Sequence, residues 1–219
     1  MPPRSKKTAA RPRRTPAAHL LFVECQTTLL HSQGLALATP WHARFSAAHP
    51  AKQIQLAATD TRAELTSRLG ELTQAGTRYR TIVLIAHSNS HGLQLTREDY
   101  CSWSVLGAWL KAVSPEHLVL IACNAGRVTG VCELFQSVPS LKTVYASPVP
   151  VSPQHAKSLD LLLHQLLMQR RVDDVVLRIA QVAGYLTSKA ILFRWRRADC
   201  QKQKTFEGHL FGAVAQFLQ

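Results

Sequence analysis

The sequence predicts an α/β fold built on a single, mostly parallel sheet with helices on both faces. Short apolar runs rich in β-branched residues recur along the chain, and segments with helical spacing stand between them. The central runs are apolar throughout, which is typical of strands buried on both faces. From residue 19 onward no linker-like stretch divides the chain, so one domain is expected over residues 19–219.

The predicted strands are short apolar or alternating runs bounded by turn-forming residues. In chain order they are HLLFVEC (19–25), QIQLAAT (53–59), TIVLIA (81–86), HLVLIA (117–122), KTVYAS (142–147) and AILFRW (190–195). The run at 81–86 is the clearest of them, and the run at 190–195 is expected to be an edge strand.

Helices are predicted where apolar residues recur every three or four positions. They cover Asp60 or Thr61 to about Gly76, Trp103–Val113, a helical turn at Val131–Ser137, Ser158–Gln169 and Asp173–Thr187, followed by a last apolar element at Gly212–Leu218. Asp60 or Thr61 is a suitable N-cap for the first helix. Residues 26–52 contain one glycine and two prolines, so loops and at most a short helix are expected there.

The chain is strongly basic, with 26 Lys and Arg against 13 Asp and Glu in 219 residues and a net charge of +13. Residues 1–18 hold six of these cations, four prolines and no acid, so a disordered basic tail is expected there. A second basic area runs from Arg170 to Lys204. A solvated surface is the preferred interpretation of both areas, and attraction to nucleic acid or to an acidic partner is the alternative. Hydrophobic residues make up 46% of the chain, which excludes a disordered, collagen-like or acidic solvating protein.

The five cysteines stand at positions 25, 101, 123, 132 and 200, an odd number without a CxxC pair. A disulfide framework is therefore not expected, and a reducing, cytoplasmic compartment is. No apolar run reaches the roughly 18 residues that a membrane helix needs, and the N-terminal segment lacks the features of a secretory signal. Cys101, Cys132 and Cys200 follow no strand and receive no predicted role.

Two predicted strands end in reactive side chains. His87 directly follows TIVLIA, and Cys123 directly follows HLVLIA. Functional groups of open α/β sheets collect at the carboxyl ends of the strands, so these side chains are expected side by side if the strands are neighbours. An imidazole next to a thiol favours the thiolate, which attacks a carbonyl while the imidazolium protonates the leaving amine. The pair therefore predicts nucleophilic catalysis.

The residues around both positions resemble caspase-like cysteine peptidases, and they are most similar to the CHAT-domain branch. His87 to Leu95, with a glycine five residues after the histidine and then an LxL pair, resembles the catalytic-histidine loop. Ala122 to Gly126 resembles the strand end that carries the nucleophile, and similar stretches cover most of residues 50–195.

This resemblance implies a caspase–hemoglobinase fold in which His87 is the base and Cys123 the nucleophile. It also implies that the backbone N–H groups of Ser88 and Cys123 bind the oxyanion. The family's usual glycine after the histidine is Ser88 in this sequence, and Ile121 and Ala125 depart from the short caspase signature.

Other roles for the same residues stay open. His91, which is followed by Gly92, is the alternative base. Asn124 and Arg127 are candidate substrate contacts, although surface charge is the preferred explanation for Arg127. A zinc site would need ligands without the usual paired spacing, namely His87, His91, Cys123 and Cys132. No metal is predicted.

The sequence thus predicts a cysteine endopeptidase that cleaves protein substrates through an acyl-enzyme and needs no cofactor. By analogy with the family, an effector role in a bacterial defence or death system and an activating protein partner are expected. The alternative is a weakly active or inactive caspase-fold interaction module that binds a protein or nucleic acid through its basic surface. An unrelated α/β hydrolase is disfavoured because no GxSxG motif occurs.

Overall fold

The computed structural model describes residues 18–26, 36–75, 78–89, 91–95, 99–152, 159–168, 172–188 and 191–201. Most of the predicted tail, both ends of the basic area (Arg170 and Lys204) and the predicted element at Gly212–Leu218 lie outside these ranges. The division into a tail and a domain therefore stays a prediction.

Five predicted runs match strands closely, and the run at 190–195 corresponds to a shorter strand that begins at Phe193. The strands are β1 (Ala18–Cys25), β2 (Ile54–Thr59), β3 (Tyr79–Ile85), β4 (His87–Ser88), β5 (Gly92–Gln94), β6 (Tyr100–Ser102), β7 (His117–Ile121), β8 (Thr143–Ala146) and β9 (Phe193–Arg196). Six of them form a sheet in the order β2-β1-β3-β7-β8-β9, in which the first five are parallel and β9 is an antiparallel edge strand. The predicted mostly parallel sheet is confirmed. A small second sheet, β4-β5-β6, is an addition that the sequence does not predict.

The helices are α1 (Ala38–Ala48), α2 (Arg62–Gln74), α3 (Trp103–Val113), α4 (Val128–Ser137), α5 (Asp160–Met168), α6 (Asp174–Ser188) and α7 (Arg197–Gln201). Helices α2, α3 and α4 bury apolar residues against one face of the main sheet, and α1, α5 and α6 do so against the other. Strand β3 shows why both faces need cover, because Leu84 enters the first core and its neighbour Ile85 the second. Helices on both faces are thus confirmed. None of the helices in the described ranges is long and apolar enough to cross a bilayer.

Helix α1 is longer than the sequence predicts. Pro40 lies in its first turn, where a backbone N–H has no partner within the helix, so the proline does not disrupt it. The carboxylate of Glu24, fully buried in β1, accepts hydrogen bonds from the backbone N–H groups of Leu37 and Ala38 at 2.8 and 3.1 Å. Trp41, on the same helix, is buried in the hydrophobic core that α1 shares with α5 and α6. The helix therefore depends on capping and burial by distant residues, which leave no local sequence signature.

Two histidines join α1 to α5. The ring nitrogens His49 Nε2 and His164 Nδ1 lie 3.0 Å apart, and the Phe45 ring lies 4.5 Å from the His164 ring. Arg44 and Asp160 pair at 2.5 Å in the same region. Burial and, after it, the neighbouring His49 lower the pKa of His164 below its usual value of 6.5.

This histidine pair predicts a loss of stability in mild acid. The unfolded chain binds a proton at His164 at a higher pH than the folded chain does. The contribution of neutral His164 to the free energy of unfolding is therefore fully present above about pH 6.5. It is lost as the pH falls through the folded-state pKa. We expect the Tm to fall between pH 7.5 and pH 5 by more in the wild type than in His164→Gln. Thermal unfolding of both proteins across this range measures the difference, and parallel curves would contradict the expectation.

A disulfide joins Cys132 on α4 to Cys200 on α7, with the two Cα atoms 5.5 Å apart. No disulfide framework is expected from the sequence, and this bridge corrects that expectation for these two cysteines. Their separation of 68 residues leaves no spacing signal, and the fold alone brings them together. Next to the bridge, Arg197 donates to the carbonyl oxygen of Phe135 and, at 2.9 Å, to that of Val138, the C-cap residue of α4. Helix α7 is thus fastened to the helix that follows Cys123.

Removing this disulfide is expected to lower the Tm. A bridge closing a long loop contributes about 2–4 kcal/mol, which for a chain of this size corresponds to a fall of about 5–10 °C in the Cys132→Ser/Cys200→Ser variant. Dithiothreitol should destabilise the wild type and leave the double variant unchanged. Thiol titration of the unreduced, denatured wild type should find three free thiols, from Cys25, Cys101 and Cys123. Five free thiols would contradict the bridge.

Candidate active site

His87 and Cys123 lie at the carboxyl edge of two neighbouring strands. Strands β3 and β7 are parallel, and their last paired residues are Ile85 and Ile121. The backbone N–H of Ala86 donates to the carbonyl of Ile121 at 3.3 Å. His87 and Cys123 each stand two residues past the final pair. The structure therefore brings them to the same edge, as their positions in the sequence predict.

His87 begins a short antiparallel hairpin, where the sequence suggests a loop. It pairs with Gln94 across β4 and β5 and is half-buried. Asn89 closes the hairpin, because its side-chain oxygen accepts from the backbone N–H groups of His91 and Gly92 at 2.8 and 3.2 Å. His91 is exposed at the tip. The two candidate bases thus occupy different environments, with His87 in the ladder and His91 in the turn.

Cys123 opens a tight turn at residues 123–126. Asn124 adopts a left-handed conformation with φ of 58°, which asparagine tolerates better than most residues. Its backbone N–H donates to the carbonyl of Val149 at 3.3 Å, and that of Gly126 donates to Ser147 at 2.8 Å. A Cβ at Gly126 would lie 2.7 Å from a backbone carbon of Ser147, so only glycine fits. The turn is therefore fixed by the chain that leaves β8.

The thiol of Cys123 differs from the other free thiols in the described part of the chain. Cys25 and Cys101 are buried, and burial raises their pKa to about 12 and about 11. Those two are inert at neutral pH because the thiolate is the reactive form. Cys123 is half-exposed, and its Sγ lies 3.9 Å from the carbonyl oxygen of Val151, to which it donates. Among these three thiols, Cys123 alone is open to reagents.

Ser88 connects the histidine hairpin to the cysteine turn. Its hydroxyl donates a hydrogen bond to the carbonyl oxygen of Cys123. Ser88 lies opposite Leu93 in the ladder of β4 and β5. The neighbouring pair, Asn89 and Gly92, is hydrogen-bonded, because the Asn89 N–H donates to the Gly92 carbonyl oxygen at 3.1 Å. Hydrogen-bonded and non-bonded pairs alternate in an antiparallel ladder, so the Ser88 N–H points away from β5.

The remaining candidate residues differ in their surroundings. Arg127 is exposed and forms the N-cap position of α4. Asn124 is half-buried in the turn itself. Cys132 is committed to the disulfide, so it cannot be a thiolate ligand in the zinc set considered from the sequence.

Sequence reasoning missed the Ser88 hydroxyl, the Asn89 side chain and the carbonyl groups of Val149 and Val151. Asn89 had a usable signal, since an asparagine three residues before a glycine is typical of a turn. The backbone carbonyls had none, because any residue can supply them.

Comparison with known proteins adds a weak structural likeness. No protein-family model matches this chain, and no curated protein matches it. Among solved structures, it is similar to a secreted C11 cysteine protease from Bacteroides thetaiotaomicron, determined in complex with an irreversible peptide inhibitor. The TM-score is 0.49 and the sequence identity 11%, over 78% of this chain and 58% of that one. The chain thus spans less than two thirds of the length of that protease.

Proposed function

We propose that this chain is a caspase-like cysteine endopeptidase, with Cys123 as the nucleophile and His87 as the general base and acid. One observation carries the proposal: a thiol and an imidazole, both partly exposed, stand two residues past the last pair of adjacent parallel strands. That edge is where α/β folds collect reactive groups. The CHAT-type resemblance of the surrounding sequence supports the same assignment.

In the acylation step, His87 takes the proton of Cys123, and the thiolate attacks the carbonyl carbon of the scissile peptide bond. The carbonyl π electrons move to oxygen, and the backbone N–H groups of Ser88 and Cys123 receive the oxyanion. The outward direction of the Ser88 N–H supports this role. When the tetrahedral intermediate collapses, the C–N bond breaks, and His87 gives its proton to the leaving amine.

In the deacylation step, water attacks the thioester carbon while His87 accepts one of its protons. The C–S bond breaks, the carboxylic acid leaves, and the proton returns to the sulfur of Cys123. Both steps balance with protein groups and water, so the chemistry requires no metal or organic cofactor.

The immediate surroundings of Cys123 suggest which residues contact a substrate. Asn124 directly follows the nucleophile in the turn, and Arg127, three residues later, is exposed at the N-cap position of α4. We assign both to substrate contact, and the substrate to protein. An activating protein partner and a role in bacterial defence or cell death are part of the proposal by analogy alone.

Terminal-peptide mass spectrometry of a protein lysate tests the proposal. The lysate is incubated with the wild type or with Cys123→Ala, and new N-termini are compared. Termini seen only with the wild type support an endopeptidase, and the residues before the cuts give its specificity. If no cuts appear, with or without the proteins encoded beside it, the interaction-module alternative takes precedence. Binding that weakens steeply with salt would then support a basic interaction surface.

A further inference from the structure

The backbones that carry His87 and Cys123 separate at the edge of the main sheet. Ala86 still bonds to Ile121. The next residue, His87, belongs to β4 and pairs with β5, whereas Cys123 turns away from the direction of β7. The sheet ladder that aligns β3 with β7 therefore stops before it reaches either reactive residue.

The cysteine turn is held from the β8 side by two backbone hydrogen bonds. They run from Asn124 to Val149 and from Gly126 to Ser147. On the β3 side, the hydroxyl of Ser88 bonds to the carbonyl oxygen of Cys123. This bond joins the residue directly after the base to the nucleophile itself.

We propose that the Ser88 hydroxyl is a positioning group that keeps Cys123 in register with His87 and with the Ser88 backbone N–H. The proposal rests on the proposed function and adds to it a side chain that the family's usual glycine lacks. Because catalytic groups must be held within about 0.5 Å of their productive geometry, a misplacement of about 1 Å costs about a hundredfold in rate. A single hydrogen bond that prevents part of that movement has a measurable effect.

The first test needs no substrate. The rate at which iodoacetamide alkylates Cys123 in the native protein is measured at pH 7 by mass spectrometry of the Cys123 peptide. We expect Ser88→Ala to lower this alkylation rate about threefold to tenfold, because the thiol loses its alignment with the imidazole. Ser88→Thr keeps the hydroxyl and should restore the rate. Ser67→Ala, which removes an exposed hydroxyl from α2, is the matched control and should match the wild type.

The second test uses a peptide identified from the lysate experiment. Ser88→Ala is expected to lower kcat about tenfold with little change in KM, since the hydroxyl acts on the reacting groups and not on substrate affinity. Ser88→Gly, the family's usual residue, should behave like Ser88→Ala. Equal losses in Ser88→Ala and Ser88→Thr, accompanied by a lower Tm, would indicate a structural role and overturn the proposal.

The two proposals can fail separately. If Ser88→Ala is alkylated at the wild-type rate, the positioning role is wrong, whether or not the protein cleaves peptides. If His87→Ala is alkylated at the wild-type rate while Ser88→Ala is not, the His87–Cys123 pair is wrong, and the role of Ser88 in aligning that pair is wrong with it, although its bond to Cys123 stands. If neither substitution alters the rate, both proposals fall.

Discussion

Replacing His87 with alanine is expected to lower kcat/KM for peptide cleavage about a thousandfold, whereas His91→Ala should change it less than about threefold. A general base contributes about 10²–10⁴ in rate. His87 is half-buried at the sheet edge where Cys123 also lies, while His91 is exposed at the hairpin tip. The prediction is measured with the peptide that the lysate experiment identifies, with both variants checked for wild-type Tm.

The opposite result would reassign the base. If His91→Ala removed activity and His87→Ala kept it, the hairpin would have to bring its tip over Cys123 in the substrate complex. Imidazole added to the buffer gives an independent check. It should restore part of the activity of the variant that has lost the true base, and none to Cys123→Ala.

The parallel core could be predicted from the sequence because the relevant signals are local. A strand buried on both faces must be apolar at every position, and the segments at 81–86 and 117–122 are. Their parallel pairing then follows from the intervening helix. Since parallel strands end at the same edge, the arrival of His87 and Cys123 at one edge of the sheet could be predicted from two short motifs.

The parts that could not be predicted depend on contacts between distant residues. The sequence at the start of helix α1 contains no local capping signal, and Glu24 on strand β1 caps the helix instead. Cys132 and Cys200 are 68 residues apart in the sequence, and they meet because β9, which precedes α7, pairs with the edge of the sheet. In the sequence, Ser88 only departs from the glycine of the caspase-like pattern that the segment resembles, and the carbonyl group of Cys123 that its hydroxyl contacts is 35 residues away. In each case a long-range contact overrides, or adds to, what the local sequence indicates.

The dipeptide His91-Gly92 shows how such contacts change the meaning of a motif. From the sequence, the glycine suggests that His91 is a catalytic histidine followed by its usual neighbour. In the structure, Gly92 pairs with Ser102, and a Cβ on Gly92 would overlap the carbonyl oxygen of Cys101 and lie 2.8 Å from its carbon. The close approach of β5 to β6 therefore explains this glycine without any role in catalysis.

Gly92→Ala is accordingly expected to destabilise the protein and lower its activity even though it leaves His87 and Cys123 unchanged. The obstructing atoms belong to the backbone, so they cannot rotate away, and the overlap should cost about 1–3 kcal/mol or more. Because β5 is the ladder partner of His87, kcat should fall with the Tm. Gly70→Ala is the matched control: it lies inside α2 with nothing within 4 Å of the added Cβ, so alanine should stabilise by about 0.5–1 kcal/mol. Denaturant unfolding of both variants measures these changes. A neutral Gly92→Ala would show that β5 and β6 are not as close as the hairpin requires, and the glycine of the His91-Gly92 pair would again need a catalytic explanation.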